Sequence, residues 1–349
     1  MSHNRQFIAV DQAQPPFFVG LDLGGTDVKV GVVDDLGRPL SWLAIPTETQ
    51  HGPEDAAQRM AKAVGEAIHK AGLEPPAVAR VGLGSAGIID AASGILLKPV
   101  NLKGWDNFPL RERVRAHCGV PVTLANDANA AAYGEFWVGS GRGLHSIVLF
   151  TLGTGIGSGI IIGDLSIDGE NSHGGECGHI IIDYAETARL CGCGQRGHLE
   201  AYASGTAVVQ RTREALATGR PSSLRERLAQ CPHLTPKLLA LEAEAGDALS
   251  LEIIADTARY LGVGIVNLMH TIDPNGVLLG GAMSFGGHQT NLGRQFLAWV
   301  KQEVARRAFP ALAERTVIDF ASLGGDAGYI GAAGMARLEF RRITPVAGR

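Results

Sequence analysis

The sequence predicts an α/β protein of two domains, and three observations carry that expectation. An apolar strand that runs into a glycine turn and out into a second strand occurs twice, around Gly24 and Gly25 and again around Gly153 to Gly155, near the front of each half. Stretches with apolar residues at helical spacing lie between such strands, the clearest running from Asp247 to Ile272. The chain has 349 residues and 45% apolar composition, enough for one large core or two ordinary ones. Its 47 glycines follow no collagen-like period, so they imply many tight turns.

Phe17, Phe18, Val19 and Leu21 read as a buried strand, and Val28, Val30, Val32 and Val33 as the strand that returns. Between them, Gly24 and Gly25 let backbone N–H groups approach an anion, Thr26 offers a hydroxyl and Lys29 a charge. Asp22, at the strand end, is placed to hold a magnesium ion or its water. The same residues also suit an ordinary hairpin turn. A third strand is expected over Ser41 to Ile45, then a helix over about Pro53 to Ala71 with proline in its first turn. Val78 to Leu83 is another strand, ending in Gly82, Gly84 and Gly87, a bare match to the dinucleotide fingerprint. The fingerprint needs a helix next, whereas Ile88, Ile89 and Asp90 followed by Ser93 and Gly94 continue as strand and turn, so the match is rejected.

Asn101 to Trp105 is a polar loop, a short helix is expected around Leu110 to His117, and Val120 to Ala125 is a strand. That strand delivers Asn126 and Asp127 to the start of an alanine-rich helix. A carboxylate there serves either as an N-cap or as a general base that takes a proton from a substrate hydroxyl. Glu135 to His145, rich in glycine and polar residues, is the expected domain boundary. Ile147 to Leu152, the turn at Gly153, Thr154 and Gly155, Gly157, and Ile160 to Ile162 then repeat the opening unit. Two such hairpins suit a polyphosphate gripped from both sides, and no P-loop Gly-Lys-Ser/Thr is present. Ser146 to Gly163 is uncharged and about long enough for a membrane span, but its glycines suit a strand-turn-strand instead.

The densest chemistry follows. His179, Cys191, Cys193 and His198 lie at short spacings in a glycine-rich loop and form a complete tetrahedral zinc set, structural because protein fills every position. Cys177 and His173 are spare candidates that read as packing and turn residues. Five cysteines, odd in number and with two of them one residue apart, fit metal better than a disulfide framework. Downstream, Pro274 stops the long helix, and Val277 to Leu279 is a strand ending in Gly280 and Gly281, a pair on which an adenosine would lie. Val317 to Phe320 is the last strand, and Asp326 begins the terminal helix. A net charge of −4 gives no electrostatic case for nucleic acid. Met1 to Pro16 lack a basic segment leading into an apolar run, so no secretory signal and a cytoplasmic location are expected.

The phosphate motif from Asp22 to Lys29, the Asn126–Asp127 pair, the run from Gly153 to Gly159, and Glu176 to His179 ahead of Cys191 and Cys193 jointly resemble the ROK family (repressors, open reading frames, kinases). The resemblance covers about Phe17 to Arg337, within the wider group of actin-like and hexokinase-like ATPases. It implies a two-lobed fold of duplicated ribonuclease H-like cores with a ligand cleft between lobes. The N-terminal lobe would be 1–138 rejoined by the terminal helix at about 335–349, and the C-terminal lobe 139–334 with its zinc loop at 179–198. The implied activity is ATP-dependent phosphorylation of a hexose 6-hydroxyl with magnesium, glucose first, with N-acetylmannosamine, N-acetylglucosamine and fructose as alternatives. Asp127 would be the general base, and Asn101, Asn126, Glu176, His179 and Glu200 would hold the other hydroxyls. His179 would bind zinc through one ring nitrogen and face the sugar with the other. The family's usual zinc loop ends in a cysteine where this chain has His198; imidazole is an acceptable zinc ligand, so a two-Cys, two-His site is expected. A homodimer or homotetramer is the family expectation, with sugar and nucleotide as ligands and neither nucleic acid nor membrane as a partner. ROK repressors carry an additional N-terminal helix-turn-helix, and Met1 to Pro16 are too short and proline-marked for two helices, so the kinase branch is expected over a sugar-responsive regulator, while the retained Asp127 favours it over a non-catalytic sensor.

Overall fold

A computed structural model describes residues 5–99 and 102–344. Strands β1 (Phe17–Leu23), β2 (Asp27–Val33) and β3 (Pro39–Pro46) form an antiparallel meander, followed by helix α1 (Pro53–Lys70). Strand β4 (Val78–Ser85) returns parallel to β1, and β5 (Ile88–Asp90) and β6 (Ile95–Lys98) make a separate small hairpin. After α2 (Leu110–Cys118), β7 (Val122–Asn126) joins parallel to β4 and leads into α3 (Asp127–Trp137). The sheet order is β3-β2-β1-β4-β7.

The second half repeats that order. Strands β8 (Ser146–Leu152), β9 (Ile156–Ile162) and β10 (Leu165–Ser166) precede a run of five helices: α4 (Glu200–Ala203), α5 (Gly205–Ala217), α6 (Leu224–Gln230), α7 (Pro236–Glu244) and α8 (Ala248–Ile272). Strand β11 (Gly276–Gly280) then pairs parallel to β8, helices α9 (Asn291–Arg307) and α10 (Pro310–Arg315) follow, and β12 (Val317–Phe320) pairs parallel to β11 before the terminal helix α11 (Ala327–Ile343). The order β10-β9-β8-β11-β12 is again third-second-first-fourth-fifth. The duplicated α/β core is therefore present, and the uncharged stretch from Ser146 to Gly163 is β8, its turn and β9. Among the described residues no helix is long and apolar enough to cross a membrane.

The chain divides into two compact units, one of Met1–Gly143, Gly159–Gly175 and Leu323–Arg349, the other of Leu144–Ser158 and Glu176–Ser322. In the first, alternation along β1 sends Phe17, Val19, Leu21 and Leu23 to a core shared with α1 and α2, while Phe18 faces the opposite side. There Phe18 and Val33 meet Tyr329, Ile330, Ala333 and Ala336 of α11, so both faces of the sheet are covered. Burying Phe18 and Ile330 on that face contributes about 2 kcal/mol each. Arg337 and Arg341 of α11 both pair with Asp35 beyond β2, at 2.8 Å each.

A row of glycines explains how closely α11 sits. Gly31, Gly20 and Gly82 are cross-strand neighbours on β2, β1 and β4. A Cβ on Gly20 would lie 1.7 Å from the Tyr329 carbonyl oxygen, and one on Gly82 would lie 1.8 Å from that of Ala332. The helix backbone thus rests on bare strand backbone, the usual meaning of glycine in a strand interior.

Candidate active site and metal centre

In the first unit the chemistry gathers where parallel strands end. Asp22 lies near the end of β1, opposite Lys29 of β2 in the ladder, and the Lys29 ammonium donates to its Oδ2 at 3.1 Å. The lysine thus sits against the aspartate, and a carboxylate with one oxygen so held keeps the other for a cation or its water. The turn from Gly24 to Thr26 exposes Gly25 and Thr26. The Gly24 N–H is already used, donating to the Asp27 carbonyl at 3.0 Å, so it is Gly25 rather than Gly24 that brings an amide to the open side of the turn.

Asp127 is the first residue of α3, just beyond the end of β7, and is half-buried. The cap of this helix is Asn126, whose Oδ1 accepts from the N–H groups of Ala128 (2.9 Å) and Asn129 (3.3 Å). The Asp127 Oδ1 also accepts from Ala128 N–H at 2.9 Å. The cap is thus the neighbouring asparagine, and the Asp127 carboxylate shares one of the same N–H groups from the first helical position. Asn126 in turn has only its Nδ2 group left for a ligand, at 3.4 Å from the Gly87 carbonyl. Asn101 lies outside the described residues.

In the second unit, the turn after β8 closes with Gly153 N–H donating to Gly155 O at 3.0 Å. A Cβ on Gly153 would meet nothing within 4 Å, so the fold itself does not demand glycine there. At Gly155 a Cβ would lie 2.4 Å from Glu200 Oε2, which accepts the Ile156 N–H at 2.8 Å. Gly157 follows in β9. Gly280, opposite Thr151 in the sheet, and Gly281 lie at the end of β11 beside this turn. Gly281 has φ +90°, and a Cβ there would lie 2.4 Å from Leu152 O, so backbone geometry alone accounts for that glycine.

The loop beyond β10 brings four separated side chains together. His179, Cys191, Cys193 and His198 place their ligand atoms within 4.8 Å of one another. A tight turn, with Gly194 N–H on Cys191 O and Cys191 N–H on Gln195 O, sets the two sulfurs side by side, and Ile181 pairs with His198. Zinc bonds of about 2.0–2.1 Å to nitrogen and 2.3 Å to sulfur at tetrahedral angles require roughly 3.3 Å between nitrogens and 3.6 Å between nitrogen and sulfur. The two Nδ1 atoms are 3.2 Å apart, Cys193 Sγ is 3.2 Å from His198 Nδ1, and Cys191 Sγ is 3.8 Å from His179 Nδ1. The donor set and its spacing fit a tetrahedral zinc ion. Burial pushes the Cys191 thiol up to about 12, and a bound cation would offset that by favouring the thiolate. Burial and the charge of His179 pull the His198 imidazole below its usual value, towards the neutral form a metal binds. With Nδ1 turned to the cluster, His179 presents Nε2 on the other side, 4.0 Å from Glu176 Oε2. Cys177 is buried, as a packing residue would be, and His173 is exposed with its Nδ1 at 2.5 Å from Asn171 O.

Two residues that sequence reasoning missed each touch one of the glycine turns. Thr47 and Thr206 bond their carbonyls, and a lone threonine at a strand end or helix start carries no signal that marks it.

The comparisons with known proteins agree with this layout. The profile of the ROK family matches residues 18–339. The glucokinase of Halalkalibacterium halodurans is 33% identical over 315 residues, 90% of this chain and 93% of that protein. The ROK hexokinase of Thermus thermophilus superposes with a TM-score of 0.79 at 33% identity, covering 93% of this chain and 99% of that one. A ROK glucokinase from Streptomyces griseus, solved in complex with glucose and AMPPNP, gives a TM-score of 0.73 at 33% identity, over 92% and 99% of the two chains. A profile match across nearly the whole length, on a duplicated fold carrying the motifs described above, means that the chain belongs to the ROK family.

Proposed function

We propose that this ROK-family sugar kinase transfers the terminal phosphoryl group of ATP to the 6-hydroxyl of glucose. The observation that carries the reading is Asp127, a carboxylate at the end of a parallel strand whose capping duty is done by Asn126. The likeness to a glucokinase that binds glucose and AMPPNP supports the choice of substrates.

In this reading Asp127 accepts the proton of the sugar 6-hydroxyl as its oxygen attacks the phosphorus. Asn126 Nδ2, Glu176, His179 Nε2 and Glu200 hold the remaining hydroxyls, with Asn101 as a further donor. Phosphoryl transfer depends on positioning and charge stabilisation more than on covalent work by the protein. The amides around Gly25 and Thr26, and those of Thr154, Gly155 and Gly157, supply the phosphate contacts, with Gly153 leaving room for the phosphates and Gly280 and Gly281 beside the adenosine. Asp22 would hold magnesium, whose charge shields the phosphates during transfer. His179, Cys191, Cys193 and His198 would hold a structural zinc that fixes the ring of His179.

A coupled assay of ADP release with ATP and magnesium tests the reaction across glucose, fructose, mannose, N-acetylmannosamine and N-acetylglucosamine. Turnover greatest on glucose is expected; preference for an acetamido sugar would move the substrate, and silence on all five with sugar binding intact would reject the kinase. For the metal, elemental analysis of purified protein is expected to give about one zinc per chain, lost in Cys191→Ser. Because thiols and imidazoles shed protons to bind, zinc should be released progressively on acidification. A fully active preparation without zinc would reject the site.

A further inference from the structure

We propose that Thr47 and Thr206 are positioning residues that aim the amides of the two glycine turns at the nucleotide phosphates. The inference rests on the reading of those turns as phosphate sites. Thr47, fully buried just beyond β3, holds the first turn at both ends. Its Oγ1 donates to the Gly24 carbonyl at 2.7 Å and its N–H donates to the Thr26 carbonyl at 2.7 Å. Thr47 is itself held from α1, where Arg59 donates to the carbonyls of Pro46 and Thr47 at 2.6 Å each while its Nε donates to Asp55 at 2.7 Å.

The second unit has the same device. Gly205 N–H donates to Gly153 O at 2.8 Å, and Thr206 donates to Thr154 O through both its N–H (3.2 Å) and its Oγ1 (2.9 Å). In each unit, then, a threonine hydroxyl from a later element bonds a carbonyl of the glycine turn.

The consequence follows from the planar trans peptide, in which the C=O of one residue and the N–H of the next point in opposite directions. Drawing the Gly24 carbonyl to Thr47 turns the Gly25 N–H to the opposite side. Drawing the Gly153 and Thr154 carbonyls to Gly205 and Thr206 does the same for the N–H groups of Thr154 and Gly155. Each bonded carbonyl thus orients a donor for an anion, and holding it in place beforehand avoids the ordering cost that a loose glycine turn would meet on binding.

The test is calorimetric titration of the full-length protein with magnesium–AMPPNP and, separately, with glucose. Thr47→Val keeps the branched shape and removes the hydroxyl; it is expected to weaken AMPPNP binding roughly tenfold while glucose affinity changes less than about twofold. Thr47→Ser, which restores the donor, should recover most of the loss. Thr206→Val keeps the backbone amide bond and is expected to lose roughly threefold. Gly25→Val blocks the turn itself and separates the two ideas. If Gly25→Val weakens AMPPNP binding but the threonine variants do not, the latch is wrong and the phosphate reading stands. If Gly25→Val is also silent, the phosphate reading falls and the latch with it. Equal loss of AMPPNP and glucose binding in Thr47→Val would reduce Thr47 to a folding role and overturn the proposal. Should Thr47→Val fail to fold, unchanged AMPPNP affinity in Thr206→Val, at an exposed position, overturns it instead.

Discussion

Asp127→Asn is expected to keep its fold and its sugar while losing turnover by roughly a thousandfold or more. The substitution preserves shape and an acceptor for the Ala128 N–H, which Asp127 Oδ1 meets at 2.9 Å. Helix α3 keeps its cap, because that duty belongs to Asn126. The amide has no basic lone pair to receive the 6-hydroxyl proton, so the loss should appear in kcat, with glucose affinity by calorimetry and the thermal midpoint nearly unchanged. A rate within a few fold of the native enzyme would reject Asp127 as the base. Equal loss of glucose binding would make it a binding residue instead. Asn126→Ala is the informative contrast: losing the cap should cost about 1 kcal/mol of stability, a change that Asp127→Asn does not share.

Gly20→Ala is expected to destabilise the protein by about 3 kcal/mol or more, a large share of a typical folding free energy of roughly 5–15 kcal/mol. The added methyl would sit 1.7 Å from the Tyr329 carbonyl oxygen and 2.7 Å from its carbon, and neither belongs to a flexible side chain that can swing away. Helix α11 would have to lift from the sheet, giving up the packing of Phe18 and Val33 against Tyr329 and Ile330. The same substitution at Gly65 should have the opposite sign. Gly65 is exposed within α1, a Cβ there meets nothing within 4 Å, and alanine should stabilise by about 0.5–1 kcal/mol through helix propensity and a less flexible unfolded chain. Thermal or urea unfolding of the pair decides the point, since a mild effect at Gly20 would mean that α11 does not rest on the glycine row.

Much of the fold was legible because local pattern and burial coincide. The apolar runs of β1, β8 and β11 end at glycines, and Val317–Phe320 forms the last strand with the bounds expected of it. The apolar stripe from Leu251 to Ile272 lies within α8, which Asp247 caps by accepting the Ser250 N–H. The rejected dinucleotide match also follows local logic, since Ile88–Asp90 is a strand. The candidate metal-binding set could be named from the chain because all four side chains fall within twenty residues, in a loop with glycines that allow sharp turns.

The amino-acid sequence by itself determined the α/β class, the repeat of strand, glycine turn and strand, the candidate metal ligands and Asp127 as the carboxylate to examine. Each depends on neighbours along the chain, where residue type and spacing act directly. Only the tertiary structure decided that Asn126 caps α3, that the Gly24 amide is spent on Asp27, that Lys29 pairs with Asp22, and that Gly20, Gly31 and Gly82 form one row beneath α11. It also joined Thr47 to Gly24, and Thr206 to Thr154, across 23 and 52 positions of sequence. A hydrogen bond or a close backbone approach is a matter of ångströms, and for residues far apart in the chain that distance exists only once the elements between them have packed.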